Sequence, residues 1–274
     1  MTRPFTPSKA PPEALLHAVR DALPEVATNW HALDGGRTNR VWQAGAIVVK
    51  LFTPDAESPL FPNDPQAEAL ALIALANTGL APRLRASGRL SGGDWLAYDY
   101  LPGQIFAGDP ADVARTLGRL HRLSPPPGLR LAPDWTDQAE AIAEACSGAL
   151  PAHPPRVPAR KIACFLHGDA VPGNIIGTGR APMLIDWQCP AQGDPAEDLA
   201  AYLSPAMQWL YRGKPLTADE CHRFLAAYPD PDTVAHYRAA AALLHWRIAA
   251  HCLWKAERGA DDYRTALHLE LSAL

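Results

Sequence analysis

Apolar residues in the first hundred positions come in short runs broken by glycine. Trp30–Leu33, Val41–Ala44 and Ile47–Phe52 are separated by Gly35-Gly36 and Gly45, and β-rich runs punctuated in this way predict hairpins. A proline-flanked helix over Glu13–Ala22 precedes them. From Pro65 to Pro82 the period changes: Leu70, Ile73 and Ala74 share a helical face, Asn77 and Gly79 stand near its end, and Pro82 lies beyond as a stop. Arg83–Ala86 and Trp95–Tyr100, joined across SGRLSGGD, read as two more strands. The tripeptide Leu101–Gly103 then breaks the pattern.

Helical periodicity dominates the rest. Asp109 as N-cap, Pro110 at the first helical position and Asp112 in the first turn open a helix that ends in LGRLHRL. Asp134–Ala149 predicts another. Three apolar runs, Ile162–Leu166, Asn174–Ile176 and Met183–Ile185, alternate with polar turns, and from Asp194 onward the chain reads as helix, with a capping box at Thr217 and Glu220. The expected fold class is α+β: residues 1–100 form a β-rich lobe with an antiparallel sheet and a helix, and residues 101–274 form a mainly helical lobe. A cleft between them is the natural ligand site.

Composition narrows the function. The chain has 274 residues and a formal net charge of -4, with no run of like charges that would grip a phosphate backbone, so no nucleic-acid partner is expected. The most apolar segment, around AAAALLHWRIAAHCLW, carries His245, Arg247 and His251 and is too short and polar to span a membrane. Five cysteines without CxxC spacing read as reduced thiols, and no apolar leader block opens the chain; both point to a cytoplasmic protein.

The segment HGDAVPGN at His167–Asn174, followed by LIDW at Leu184–Trp187, carries the chemistry. Asn174 and Asp186 supply oxygen ligands suited to Mg²⁺, which keeps much of its shell for phosphates and water. Asp169 is then a separate carboxylate able to accept a hydroxyl proton during phosphoryl transfer. Upstream, Lys50 ends the apolar strand AIVVKLF and Glu68 follows 18 residues later on the predicted helix, the spacing of a lysine held by a helix glutamate and aimed at nucleotide phosphates. The turn GGRTNR, with Gly35, Gly36, Thr38 and Asn39, would offer backbone N–H groups to the same phosphates.

These motifs, in this order from about Trp30 to Tyr211, resemble those of the aminoglycoside phosphotransferase and choline kinase-like small-molecule kinases, distant relatives of protein kinases. The resemblance implies a bilobal kinase-like fold, ATP with Mg²⁺, and a hydroxyl group on a small molecule as acceptor. It further implies that YDYLPG, with Tyr98, Tyr100 and Leu101, is the hinge receiving adenine, that His167 hydrogen-bonds within the catalytic loop, and that Asp198 of GDPAEDLA braces that loop. Ala170-Val171 stands where the family often has a Leu-His type of pair, a change expected to reshape the acceptor side. The expected acceptor is a choline- or ethanolamine-like alcohol, an amino sugar or a related compound. Trp187, Trp209, Tyr211, Tyr228, Trp246 and Trp254 could cage a quaternary ammonium, although rings at helical spacing more often fill a core. An aminoglycoside is the alternative acceptor, and a catalytically silent nucleotide-binding module the alternative function.

Overall fold

The structure is a computed structural model and describes residues 10–33, 38–53, 56–179 and 181–274. Helix α1 (Glu13–Ala22) is followed by strands β1 (His31–Ala32), β2 (Arg40–Ala44) and β3 (Ile47–Leu51), then helix α2 (Pro65–Ala74) and strands β4 (Leu84–Leu90) and β5 (Gly93–Asp99). The five strands form one antiparallel sheet in the order β1-β2-β3-β5-β4. Every residue of β3 is buried, and alternation along the strand assigns each to a side. Val48, together with Phe52, Leu96 and Tyr98, joins a core that continues into the helical part. Val49, Leu51, Trp42, Trp95 and Ala97 face the other way and pack against Leu15 and Val19 of α1.

Helix α2 starts where Asp64 accepts from the N–H groups of Gln66 and Ala67 and Pro65 fills the first helical position. Its buried face is not the expected one. Ala67, Glu68, Ala71 and Leu72 point inward, whereas Ile73 is 60% exposed. The helix is apolar nearly all round, so hydrophobicity alone did not select a side. The turn between β4 and β5 is also tighter than SGRLSGGD suggests, because cross-strand pairing runs on to Leu90↔Gly93.

Beyond β6 (Gln104–Ile105) come helices α3 (Pro110–His121) and α4 (Trp135–Glu144). The second ends short of the expected Ala149, because the Glu257 carboxylate takes the N–H groups of Ser147 and Gly148. Strand β7 (Cys164–Leu166), a 3₁₀ turn at Pro172–Asn174, and strands β8 (Ile175–Gly177), β9 (Met183–Leu184) and β10 (Ala191–Gly193) follow. They make two small antiparallel sheets, β10-β7 and β6-β8-β9. Helices α5 (Ala196–Leu203), α6 (Pro205–Arg212), α7 (Ala218–Ala227), α8 (Pro231–Glu257) and α9 (Asp262–Leu271) complete the chain, with the Thr217–Glu220 capping box formed at the start of α7. The fold is α+β and bilobal, an antiparallel sheet with α2 followed by a mainly helical part. No helix among the described residues is long and apolar enough to cross a membrane. The five cysteines are free thiols.

Candidate active site

Lys50 shares the cleft-facing side of β3 with Val48 and is 1% exposed. Its Nζ lies 2.6 Å from Glu68 Oε2 and 2.5 Å from Asp186 Oδ1. Burial alone would lower the lysine pKa, but the Asp186 and Glu68 carboxylates outweigh it and hold the amine above its ordinary value, as ammonium. Burial pushes the Glu68 carboxyl up while Lys50 opposes the shift. Glu68 reaches this lysine because the inward face of α2 carries it there.

The loop after β7 is held from below by one carboxylate. Asp198, on α5 and 1% exposed, accepts from the His167 N–H at 2.7 Å and the Gly168 N–H at 2.9 Å, and lies 3.0 Å from His121 Nε2. Burial would raise its pKa, yet these bonds together hold it below the usual carboxylate range. Gly168 sits at φ +81°, and a Cβ there would fall 2.1 Å from the Cys189 carbonyl oxygen, so no other residue fits without moving backbone. The His167 ring is spent on the loop: Nδ1 accepts the Asp169 N–H at 3.2 Å and Nε2 lies 3.0 Å from the Ile185 carbonyl. Burial lowers its pKa, and a neutral ring with both nitrogens engaged has no lone pair left for a substrate proton.

Asp169 follows directly, 6% exposed. Burial, and then the charge of Asp186, push its carboxyl up to about 7, a value at which a carboxylate can take a proton near neutral pH. Asn174 donates through Nδ2 to the Asp169 backbone oxygen at 2.9 Å and to Oδ2 at 3.1 Å, which fixes the two residues relative to each other. Asp186 occupies φ 61°, an unusual conformation for a residue other than glycine. It follows β9, and the Ile185 N–H donating to the Asn174 carbonyl at 2.9 Å ties that strand end to the 3₁₀ turn. Among the described residues no group of three or more His, Cys, Asp or Glu side chains could hold a metal ion.

A cleft of about 380 Å³ gathers these groups. Lys50, Asp169, Asn174 and Asp186 all line it, and so do Thr38, Asn39, Tyr98, Tyr100 and Leu101. Glu68 stands behind Lys50, and His167 and Asp198 stand beneath the loop. Gly35 and Gly36 lie outside the described residues. The Asn39 amide is fully engaged with protein: it donates to Asn63 and Gln188 and accepts from the Thr53 N–H and from Asn63. Tyr100 is likewise committed through its N–H, which donates to the Ala46 carbonyl at 2.8 Å. Of the six aromatics that could have formed a cage, Tyr211 alone lines the cleft. Trp187 is buried against His167, Tyr228 bonds His121, and Trp246 donates to the Pro151 carbonyl. The cage is therefore not formed.

Some cleft residues went unread in the sequence. Val41 and Val48 from the sheet, with Ile176 and Ile185 from the β8–β9 region, give the cleft apolar walls. Gln188, two residues beyond Asp186, links the Asn39 side chain to the start of α2 through its carbonyl contact with the Asp64 N–H. Gly173 was passed over too: a Cβ there would fall 2.2 Å from the Tyr211 ring, so the glycine lets α6 close on the loop.

The family model described as "Phosphotransferase enzyme family" matches residues 29–243. A comparison with curated protein sequences finds no match. Solved structures that resemble the chain include a choline/ethanolamine kinase family protein from Mesorhizobium loti, at 19% identity and TM-score 0.66, covering 94% of this chain and 92% of the other. The choline kinase LicA from Streptococcus pneumoniae aligns at 18% identity and TM-score 0.63, over 95% of this chain and 99% of that one. The GDP complex of aminoglycoside 2'-phosphotransferase-IIIa aligns at 15% identity and TM-score 0.63, over 95% and 97%. At these identities the likeness is one of fold, the bilobal kinase-like arrangement.

Proposed function

The chain belongs to the phosphotransferase enzyme family, and on that premise we propose that it moves the γ-phosphoryl group of ATP to a hydroxyl group of a small molecule. The observation that carries this reading is the convergence of Lys50, Asp169, Asn174 and Asp186 on one cleft, with Lys50 paired to Asp186 at 2.5 Å and Asn174 to Asp169 at 3.1 Å. In this reading residues 1–100 receive the nucleotide, residues 101–274 carry the catalytic loop and the acceptor, and the setting is cytoplasmic.

The donor set fits Mg²⁺. One carboxylate and one amide oxygen, in a cleft open enough for a nucleotide, suit a hard cation that completes its shell with phosphate oxygens and water. Asn174 and Asp186 would hold it, and when bound it neutralises phosphate charge. The protein's own groups do the rest. Lys50, kept cationic by Glu68 and Asp186, places a fixed charge beside the phosphates, which matters because charge spreads over the transferring oxygens. Thr38, Tyr98, Tyr100 and Leu101 line the nucleotide's side of the cleft, and the apolar side chains of Val41, Val48, Ile176 and Ile185 offer flat contact to a base. Asp169 orients the acceptor hydroxyl and takes its proton. His167 and Asp198 keep the loop in shape and touch no reacting atom.

The test is ADP formation from Mg·ATP by the purified chain across a panel of small alcohols, with the phosphorylated product identified by mass. Stimulation by an alcohol that is itself phosphorylated is the expected result. Phosphate release to water at the same rate with or without every alcohol would make the chain a hydrolase, and no ATP binding at all would remove the nucleotide from the picture.

A further inference from the structure

A smaller recess lies against Gly168, one residue before Asp169, and none of the roles above accounts for it. Its polar lining is Arg130, Gln138, Glu197 and Arg247, with Phe61 and Ile248 among the apolar walls. Arg247 is 4% exposed, deep within α8. Its Nη1 donates to Gln138 Oε1 at 3.0 Å and to Glu197 Oε2 at 3.1 Å, but its Nε is buried with no partner. Arg130 donates from Nη2 to the Cys189 carbonyl at 3.3 Å, the same carbonyl that crowds Gly168. Its Nε is also buried without a partner. Two guanidiniums thus face the recess against the single carboxylate of Glu197, whose own Oε1 is buried and unpartnered.

Buried N–H groups of a charged side chain are costly to leave without an acceptor. Guanidinium groups are matched in geometry and charge by carboxylate and phosphate oxygens. The space among them is about 20 Å³, room for about one water-sized group. One oxygen of an anionic group fits, with the rest of that group outside this space, and any cation would meet two positive charges. Gly168 borders the recess and Asp169 the cleft, and adjacent Cα atoms are about 3.8 Å apart. One molecule with its hydroxyl at Asp169 and an anion in the recess would have to reach past this single residue of the loop.

We propose that this recess anchors the phosphoryl acceptor, and that the acceptor is a small alcohol carrying a carboxylate or phosphate group bound by Arg130 and Arg247. The inference rests on the phosphotransferase reading. In the step it serves, the acceptor oxygen bonds to the γ-phosphorus of ATP while the bond from that phosphorus to the β,γ-bridging oxygen breaks. The hydroxyl proton passes to Asp169 and ADP leaves. Glu197 Oε1 accepts from a second hydroxyl or an N–H of the same molecule.

The experiment uses alcohols in charge-matched sets, such as glycerate, glycerol 3-phosphate, glycerol and 3-amino-1,2-propanediol, and extends each set to longer hydroxyl compounds. ADP formation with Mg·ATP is the readout. Turnover is expected with anionic members, at a kcat/KM at least tenfold above their neutral and cationic counterparts; the carboxylate and phosphate arms separate the two anions. In Arg130→Gln the acceptor KM should rise about tenfold or more, and more than the ATP KM. Arg247→Lys, which keeps the charge and the fit beside Glu197, should retain part of the preference for anions. Turnover of neutral or cationic alcohols in preference to anionic ones overturns the inference and leaves the phosphotransferase reading standing. So does an unchanged acceptor KM in a folded Arg130→Gln protein, which would make the recess a water site stapling α5 to α8. No stimulation by any alcohol, with ATP bound, would instead overturn the phosphotransferase reading and this inference with it.

Discussion

Asp169 and Asp186 are both carboxylates in one cleft, yet their surroundings ask different things of them. Asp169 is buried, bonded by Asn174, and raised to about 7; Asp186 is one-third exposed at its side chain and paired with Lys50. Asp169→Ala should lower kcat by roughly 10²–10⁴, the usual contribution of a positioned proton acceptor, with little change in ATP affinity. Asp186→Ala should lower both turnover and Mg·ATP affinity, because it removes the proposed Mg²⁺ donor and an anchor of Lys50. Calorimetric titration of Mg·ATP beside steady-state rates separates the two patterns, and near-normal turnover by Asp169→Ala would end the assigned role. Asp198 is a different kind of residue, since it touches only protein. Replacing it by Asn puts an N–H₂ among the N–H groups of His167 and Gly168 and the His121 ring, and should cost roughly 2–3 kcal/mol. Urea unfolding reads that loss directly, and a midpoint equal to the parent protein's would show that the brace is unimportant.

At the scale of elements, helix α1 lies across the sheet from the cleft. Its Leu15 is wholly buried in the cluster formed with Val19, Trp42, Val49 and Trp95. Leu15→Ala should therefore cost roughly 2–5 kcal/mol of stability and leave the ATP KM near its parent value at temperatures where the protein stays folded. A large rise in that KM would mean that the outer face of the sheet controls the cleft. What the sequence disclosed follows the strength of each element's own signal. Strand β3 was legible because it is apolar on both sides, and α3 because Asp109, Pro110 and its stripe agree. The HGD loop was legible through its spacing. The two-residue β6 and three-residue β10 were not, since such strands exist only through their partners β8 and β7. The inward face of α2 was misjudged for want of polar contrast. Arg130 and Arg247 stand 117 positions apart in ordinary surroundings, so nothing local marked them as neighbours. Arg247 is brought there by α8 packing on α4 and α5, and Arg130 by the pairing of its segment with Gln192 of β10.

Over the whole molecule, one apolar core runs from Val48 and Leu96 of the sheet through Leu72 and Leu117 to Leu199 and Leu244, so acid-sensitive groups buried anywhere along it affect the same folding equilibrium. His251 on α8 is 1% exposed and packs against Phe61, Trp254 and Tyr263. Burial, with some help from Lys255, lowers its pKa to about 3. The ordinary imidazole value is about 6.5, so the unfolded chain takes up a proton that the folded chain refuses. Stability is then complete above pH 6.5 and falls as the pH drops from 6.5 toward 3. The loss from this residue amounts to about 2 kcal/mol at pH 5 relative to pH 8. His167, lowered by the same cause, adds in the same direction. Asp198 acts further down: its folded pKa is depressed, so its share is intact above the ordinary carboxylate value near 4 and disappears only below it. Glu68 and Asp169, whose carboxyls burial raises to about 7, act in the opposite sense over the same range, so the expected result is a difference: from pH 8 to pH 5 the urea midpoint of the parent protein should fall relative to that of His251→Leu, which removes one titrating group while keeping an apolar side chain at the contact. Parallel profiles for the two proteins would show that the imidazole is protonated in place, and that this part of the core opens to water without unfolding.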